Sequence, residues 1–87
     1  MSFRIVWRQQ AKKQLAAVWL NTPNRRAEIT AAAHRVEQRL RRDPLSVGES
    51  RGGNFRLVFD GPIGVLFEVD LQAQIVRVIS LGPAGPP

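Results

Sequence analysis

An 87-residue chain of 44% hydrophobic content makes one domain with one small core. It has no cysteine, which excludes a disulfide framework and a thiolate metal site and fits a reducing, cytoplasmic setting. The net charge of +6 is uneven: residues 1–42 carry ten Lys/Arg against two acids, and residues 43–87 carry three against five. A basic N-terminal half suits phosphate polymers or an acidic protein partner.

Phe3, Ile5 and Trp7 alternate with Arg4, Val6 and Arg8, which predicts a strand and argues against a signal peptide. Gln9–Leu20 reads as a helix: Ala11, Leu15, Val18 and Trp19 share a face, while Lys12, Lys13 and Gln14 lie off it. Trp7 and Trp19, both on apolar faces, are expected to join the helices to a sheet. Asn21-Thr22-Pro23 breaks the helix, and Pro23 begins a second one with Thr22 as its cap.

That second helix has the clearest pattern. Ile29, Ala33, Val36 and Leu40 form a single apolar stripe, and Arg35, Arg39, Arg41 and Arg42 take the flanks and the last turn, where cations suit the helix dipole. Glu37 and Arg41 make an i,i+4 pair. Asp43-Pro44 ends the helix. The short break between the helices predicts an antiparallel hairpin.

Residues 45–54, with Gly48, Gly52 and Gly53, read as a loop. Phe55, Leu57 and Phe59 alternate with Arg56, Val58 and Asp60 as a strand, read with its Phe/Leu side inward and Arg56 solvated on the opposite side. Gly61-Pro62 turns the chain. Ile63, Val65, Phe67 and Val69 make the next strand, with Glu68 and Asp70 on its other face. Leu71–Gln74 is a hairpin loop, and the apolar density of Ile75–Leu81 predicts a central strand. The domain spans residues 1–82. The Gly/Pro-rich stretch from Gly82 to the C-terminus cannot continue a strand, leaving 83–87 as a flexible Gly/Pro tail. No apolar run approaches the roughly 20 residues that cross a bilayer, so no membrane is expected. The β-α-α-β-β-β order predicts an α+β domain, a twisted antiparallel sheet packed against an N-terminal helical hairpin.

Several stretches carry a resemblance. Val6-Trp7-Arg8 leads into Ala11 and Leu15. Ile29, Val36 and Leu40 precede Asp43-Pro44. Gly53-Asn54-Phe55-Arg56-Leu57-Val58-Phe59 is followed by the Val65–Val69 and Val76–Ile79 strands. Over residues 3–82 this order resembles the RelE/ParE toxins of type II toxin–antitoxin pairs. The resemblance implies a toxin neutralised by an acidic antitoxin. The leading target it implies is translation at the ribosome, where RelE-like members cleave mRNA without a metal or cofactor; the alternative is DNA gyrase, which ParE-like members inhibit without acting as nucleases. A repurposed, non-toxic binding module of the same fold is the third alternative.

For the nuclease, the chemistry needs cations on a crowded phosphorane and a group that moves protons. The resemblance assigns the first role to Arg56, joined by Arg51 beside Gly52-Gly53 and by Arg77, for which pairing with Glu68 or Asp70 is the favoured reading. Lys12, Lys13, Arg35, Arg39, Arg41 and Arg42 are the candidate nucleic-acid contacts. The chain departs from the RelE-like pattern in having Gly64 near a key arginine position, no Tyr, and an uncharged tail. Its one histidine, His34, lies off the apolar stripe as a solvated helix residue. One His and no Cys make no metal site.

Overall fold

A computed structural model describes residues 2–84. In chain order it has β1 (Arg4–Trp7), α1 (Gln9–Asn21), α2 (Arg26–Arg42), β2 (Glu49–Ser50), β3 (Phe55–Asp60), β4 (Ile63–Asp70) and β5 (Ile75–Pro83). These form one five-stranded sheet of order β1-β5-β4-β3-β2 with the helices packed on one face. The expected α+β architecture is observed, and the last strand is an interior one, flanked by β1 and β4, while β4 takes the centre.

The two helices behave as their patterns dictate. Ile29, Ala33, Val36 and Leu40 are all buried, with Ala32 beside them, and they meet Ile63, Val65, Phe67, Val76 and Val78 of the sheet. Each large side chain buried in this way contributes about 1.5–3 kcal/mol. Asp43 ends α2, and its N–H donates to the Arg39 carbonyl. Between the helices Pro23–Arg25 makes a 3-10 turn before α2, and the Thr22 side chain caps neither.

Four local expectations change. First, β1 runs parallel to β5, although every other pairing is antiparallel. The helical hairpin delivers the chain to the far edge, and the β3–β4–β5 meander brings it back beside β1. Second, the loop at 45–54 contains a 3-10 turn at Pro44–Ser46 and the short strand β2, which pairs Glu49 with Leu57 and Ser50 with Arg56.

Third, β3 is turned over. Arg56, Val58 and Asp60 stand opposite the buried Phe67, Val65 and Ile63, so they occupy the helix-facing side. Phe55 and Phe59 lie on the open face, 39% and 61% exposed. Alternation alone does not say which side is inward when both carry apolar residues; the partner strand decides. Fourth, Gly82 and Pro83 extend β5, opposite Gly64 and Ile63, and the Ala84 N–H donates to the Pro62 carbonyl at 2.9 Å. The strand tolerates Pro83 because β1 pairs only with Ile75–Val78, so that side of β5 needs no donor there. The rest of the expected tail, residues 85–87, lies outside the described residues.

A register shift falls in the middle of the sheet. Leu66 faces Ser80 while Phe67 faces Val78, leaving Ile79 unmatched. Where β1 ends, α1 takes over: the Gln14 side-chain carbonyl accepts the Leu81 N–H at 2.8 Å.

Candidate functional site

Three surfaces hold the residues of interest. The first is the open face of the sheet, which no helix among the described residues covers. Phe59 lies over Gly64 there: a Cβ on Gly64 would stand 2.9 Å from the ring. The position where RelE-like members are expected to carry an arginine is thus filled by an aromatic ring from the neighbouring strand. A cleft of about 470 Å³ on this side is lined by Arg8, Gln9, Gln10, Phe55, Glu68 and Ile79. It holds one cation and one carboxylate. Nothing in the sequence singles out Arg8, which reads as the last residue of a strand; its position at the start of α1 brings it to the cleft.

The three candidate catalytic arginines do not converge. Arg56 is half-buried on the helix-facing side, where Nε donates to the Val47 carbonyl and Nη2 to the Gly48 carbonyl, both at 2.9 Å. Gly48 is obligatory at that point. Its φ is +68°, and an added Cβ would stand 2.2 Å from the Leu57 carbonyl oxygen. Arg77 is on the opposite face of the sheet, paired with Glu68 at 3.5 Å and Asp70 at 3.3 Å, as its strand position implied. Asp70 is held below the ordinary carboxylate range, first by the Ala73 N–H and then by Arg77. Arg51 is exposed in the turn after β2 and pairs with Glu49 at 3.4 Å.

The second surface is an apolar groove of about 490 Å³ between the helices. Trp7, Leu15, Ala16, Trp19 and Leu20 line it, with Lys12 among them. Trp19 does not join helix to sheet: it is 38% exposed, and the Arg26 guanidinium stacks on its ring at 4.2 Å while bonding the Trp19 and Leu20 carbonyls. Trp7 does pack against the core, and its indole N–H donates to Glu37 at 3.1 Å. Helical spacing grouped Trp19 with Leu15 correctly; the stripe is wider than the surface available to cover it.

The third is the outer side of α2. Arg35 pairs with Asp60 at 2.6 Å, and Arg41 lies 3.8 Å from Glu37. Lys12, Lys13, Arg39 and Arg42 are exposed, with no hydrogen bond or ion pair from their side chains among the described residues. His34 is exposed, its Nε2 3.4 Å from the Gln38 amide nitrogen. No helix among the described residues is long and apolar enough to cross a membrane.

No protein-family model and no curated protein matches the chain. Solved structures do. The RelBE2 toxin–antitoxin complex from Mycobacterium tuberculosis matches with a TM-score of 0.76 at 18% identity, over 97% of this chain and 100% of that one. The chromosomal ParDE toxin–antitoxin system from P. aeruginosa gives 0.75 at 13% identity, over 97% and 98%. The archaeal RelE–RelB complex from Pyrococcus horikoshii OT3 gives 0.61 at 19% identity, over the whole of both chains. The chain has the RelE/ParE fold. The RelE-type and ParE-type matches are nearly equal, so the fold does not choose between their activities.

Proposed function

We propose that this chain is the toxin of a type II toxin–antitoxin pair, cytoplasmic, neutralised by an acidic protein antitoxin, and acting on its target by binding rather than by cutting RNA. Two findings support the antitoxin partner. The matched structures come from toxin–antitoxin systems. The groove between the helices has the apolar floor that an amphipathic helix seeks, with Lys12 and Arg26 at its margin to receive carboxylates.

The observation that carries the mode of action is the separation of Arg51, Arg56 and Arg77. Phosphorane stabilisation needs preorganised cations aimed at one point. Here Arg56 is engaged by two carbonyls behind the sheet, Arg77 is neutralised by two carboxylates in front of it, and Arg51 pairs with Glu49. The open face instead presents Phe55 and Phe59, a surface suited to a protein. Among the targets that the resemblance implies, this supports the gyrase-directed mode over ribosome-dependent mRNA cleavage. The translational reading retains one support, the unpaired cations of the helices, and it requires the ribosome to supply the alignment and proton transfer.

The test is a cleavage map of mRNA in a cell-free translation reaction with the purified chain, run beside a DNA gyrase supercoiling assay. Intact mRNA with lost supercoiling is expected. New ribosome-dependent cuts would overturn the binding mode.

A further inference from the structure

We infer that the outer side of the C-terminal half of α2 is a docking surface for the phosphodiester backbone of a nucleic acid. The inference goes beyond the toxin reading and does not rest on it.

Arg35, Arg39 and Arg42 are spaced i, i+4 and i+7, so they form one row about 120° around the helix from the buried Ile29–Leu40 stripe. Their Cα atoms are spread over about 10 Å of helix axis, which spans about three phosphates of one strand at 3.4 Å each. The row borders a shallow cleft of about 340 Å³ closed on its other side by Ser46 and Val47 of the turn after α2. His34 and Gln38 stand at its margin as further polar groups.

The charges of the cleft do not cancel. Asp60 neutralises Arg35 from β3, and Asp43 is the one acid among the described residues that lines the space. Arg39 and Arg42 keep their guanidinium groups without any partner among the described residues. Each offers a planar fork of N–H donors matched to phosphate oxygens. The negative end of the helix dipole lies nearby and amounts to about half a charge, so that with Asp43 it offsets part of these two full charges and leaves the cleft positive. Arg41, on the other side of the helix, faces Glu37 and takes no part.

An acidic helical peptide suits this surface poorly. Such a peptide needs an apolar seat, and here Val47 is the one large apolar side chain among the described residues that lines the cleft. The apolar seat is the Trp7–Trp19 groove, lined from α2 by Thr30 and Ala33 on the opposite side of that helix. A phosphate backbone needs no such floor.

The experiment is fluorescence anisotropy of the full chain with a labelled RNA hairpin and with a DNA duplex of equal length, over a series of salt concentrations. Arg39→Gln with Arg42→Gln is compared with Arg4→Gln with Arg25→Gln, which removes the same charge from exposed positions elsewhere. The first pair is expected to weaken binding about tenfold or more and to lower the salt slope by about two, one for each lost phosphate contact. The second pair is expected to change affinity by less than about threefold. Binding of both polymers, or of one alone, upholds the assignment and says which backbone is held. The assignment fails if the wild-type chain binds neither, if the two pairs weaken binding equally, or if polyglutamate binds as tightly as nucleic acid. Matching melting curves for both variants exclude loss of fold as the cause.

Discussion

The arginines of the strands and the cations of the helices look alike in the sequence and differ in the fold. Arg56 and Arg77 both sit on strands, and both are held: one by the Val47 and Gly48 carbonyls, the other by Glu68 and Asp70. On the helices, Lys12, Lys13, Arg39 and Arg42 have no side-chain partner among the described residues. A strand cation has neighbours on both sides at about 5 Å, so carbonyls and carboxylates reach it readily. An exposed helix cation has its nearest side-chain neighbours three and four positions away on its own helix, and Arg35 departs from that only by reaching Asp60 of β3. The cations that resemble a catalytic set are therefore engaged within the fold, and Lys12, Lys13, Arg39 and Arg42, which resemble ordinary helix surface, keep their donors unengaged.

The largest expected effect strikes the backbone that Arg56 holds. Gly48→Ala forces a side chain onto a positive φ and against the Leu57 carbonyl, at a cost of about 2–5 kcal/mol. Urea denaturation reads it directly, and a loss below about 1 kcal/mol would mean that the β2–β3 edge relaxes freely. Arg56→Ala comes next, at about 1–2 kcal/mol, because two charge-assisted hydrogen bonds are lost in a half-buried setting. A variant of unchanged stability that has lost toxicity would restore Arg56 to a catalytic role and break the contrast between held strand cations and free helix cations.

Gln14→Ala is expected to cost about 1 kcal/mol, since it leaves the Leu81 N–H without its acceptor; faster hydrogen exchange at Leu81 is the local readout. Acid sharpens the comparison on the strand side. Asp70 has a folded-state pKa below its unfolded value, so its contribution is present above the unfolded value of about 3.9 and is lost as pH falls through the lower folded one. Asp70→Asn should therefore flatten the loss of stability between pH 5 and pH 2. Equal acid sensitivity of the two proteins would mean that Ala73 and Arg77 do not hold the carboxylate. The smallest effect belongs to the helices: Arg39→Ala and Lys13→Ala should each change stability by less than about 0.5 kcal/mol.

Much of the fold was legible in the chain. The Ile29–Leu40 stripe, the Asp43-Pro44 stop, the Gly61-Pro62 turn and the Leu71–Gln74 hairpin all stand where local pattern puts them, because each depends on neighbours within a few residues. The Glu37–Arg41 pair and the pairing of Arg77 were legible for the same reason. The site was less so. Nothing in Phe55–Asp60 says that Phe55 and Phe59 face outward, since either side of that strand could enter a core. The stacking of Phe59 on Gly64 and the capture of Arg56 by carbonyls eight and nine residues earlier depend on register between segments.

The sequence by itself determined the two helices and the four longer strands, their order, the basic N-terminal half and the resemblance to a toxin fold, because periodicity, turn chemistry and charge are local properties. Only the tertiary structure decided that β1 runs parallel to β5, that β3 turns its phenylalanines outward, and which arginines are engaged and which are free. Those outcomes depend on the alignment of strands distant in the chain, where a one-residue shift exchanges the two faces of the sheet and every partner on them.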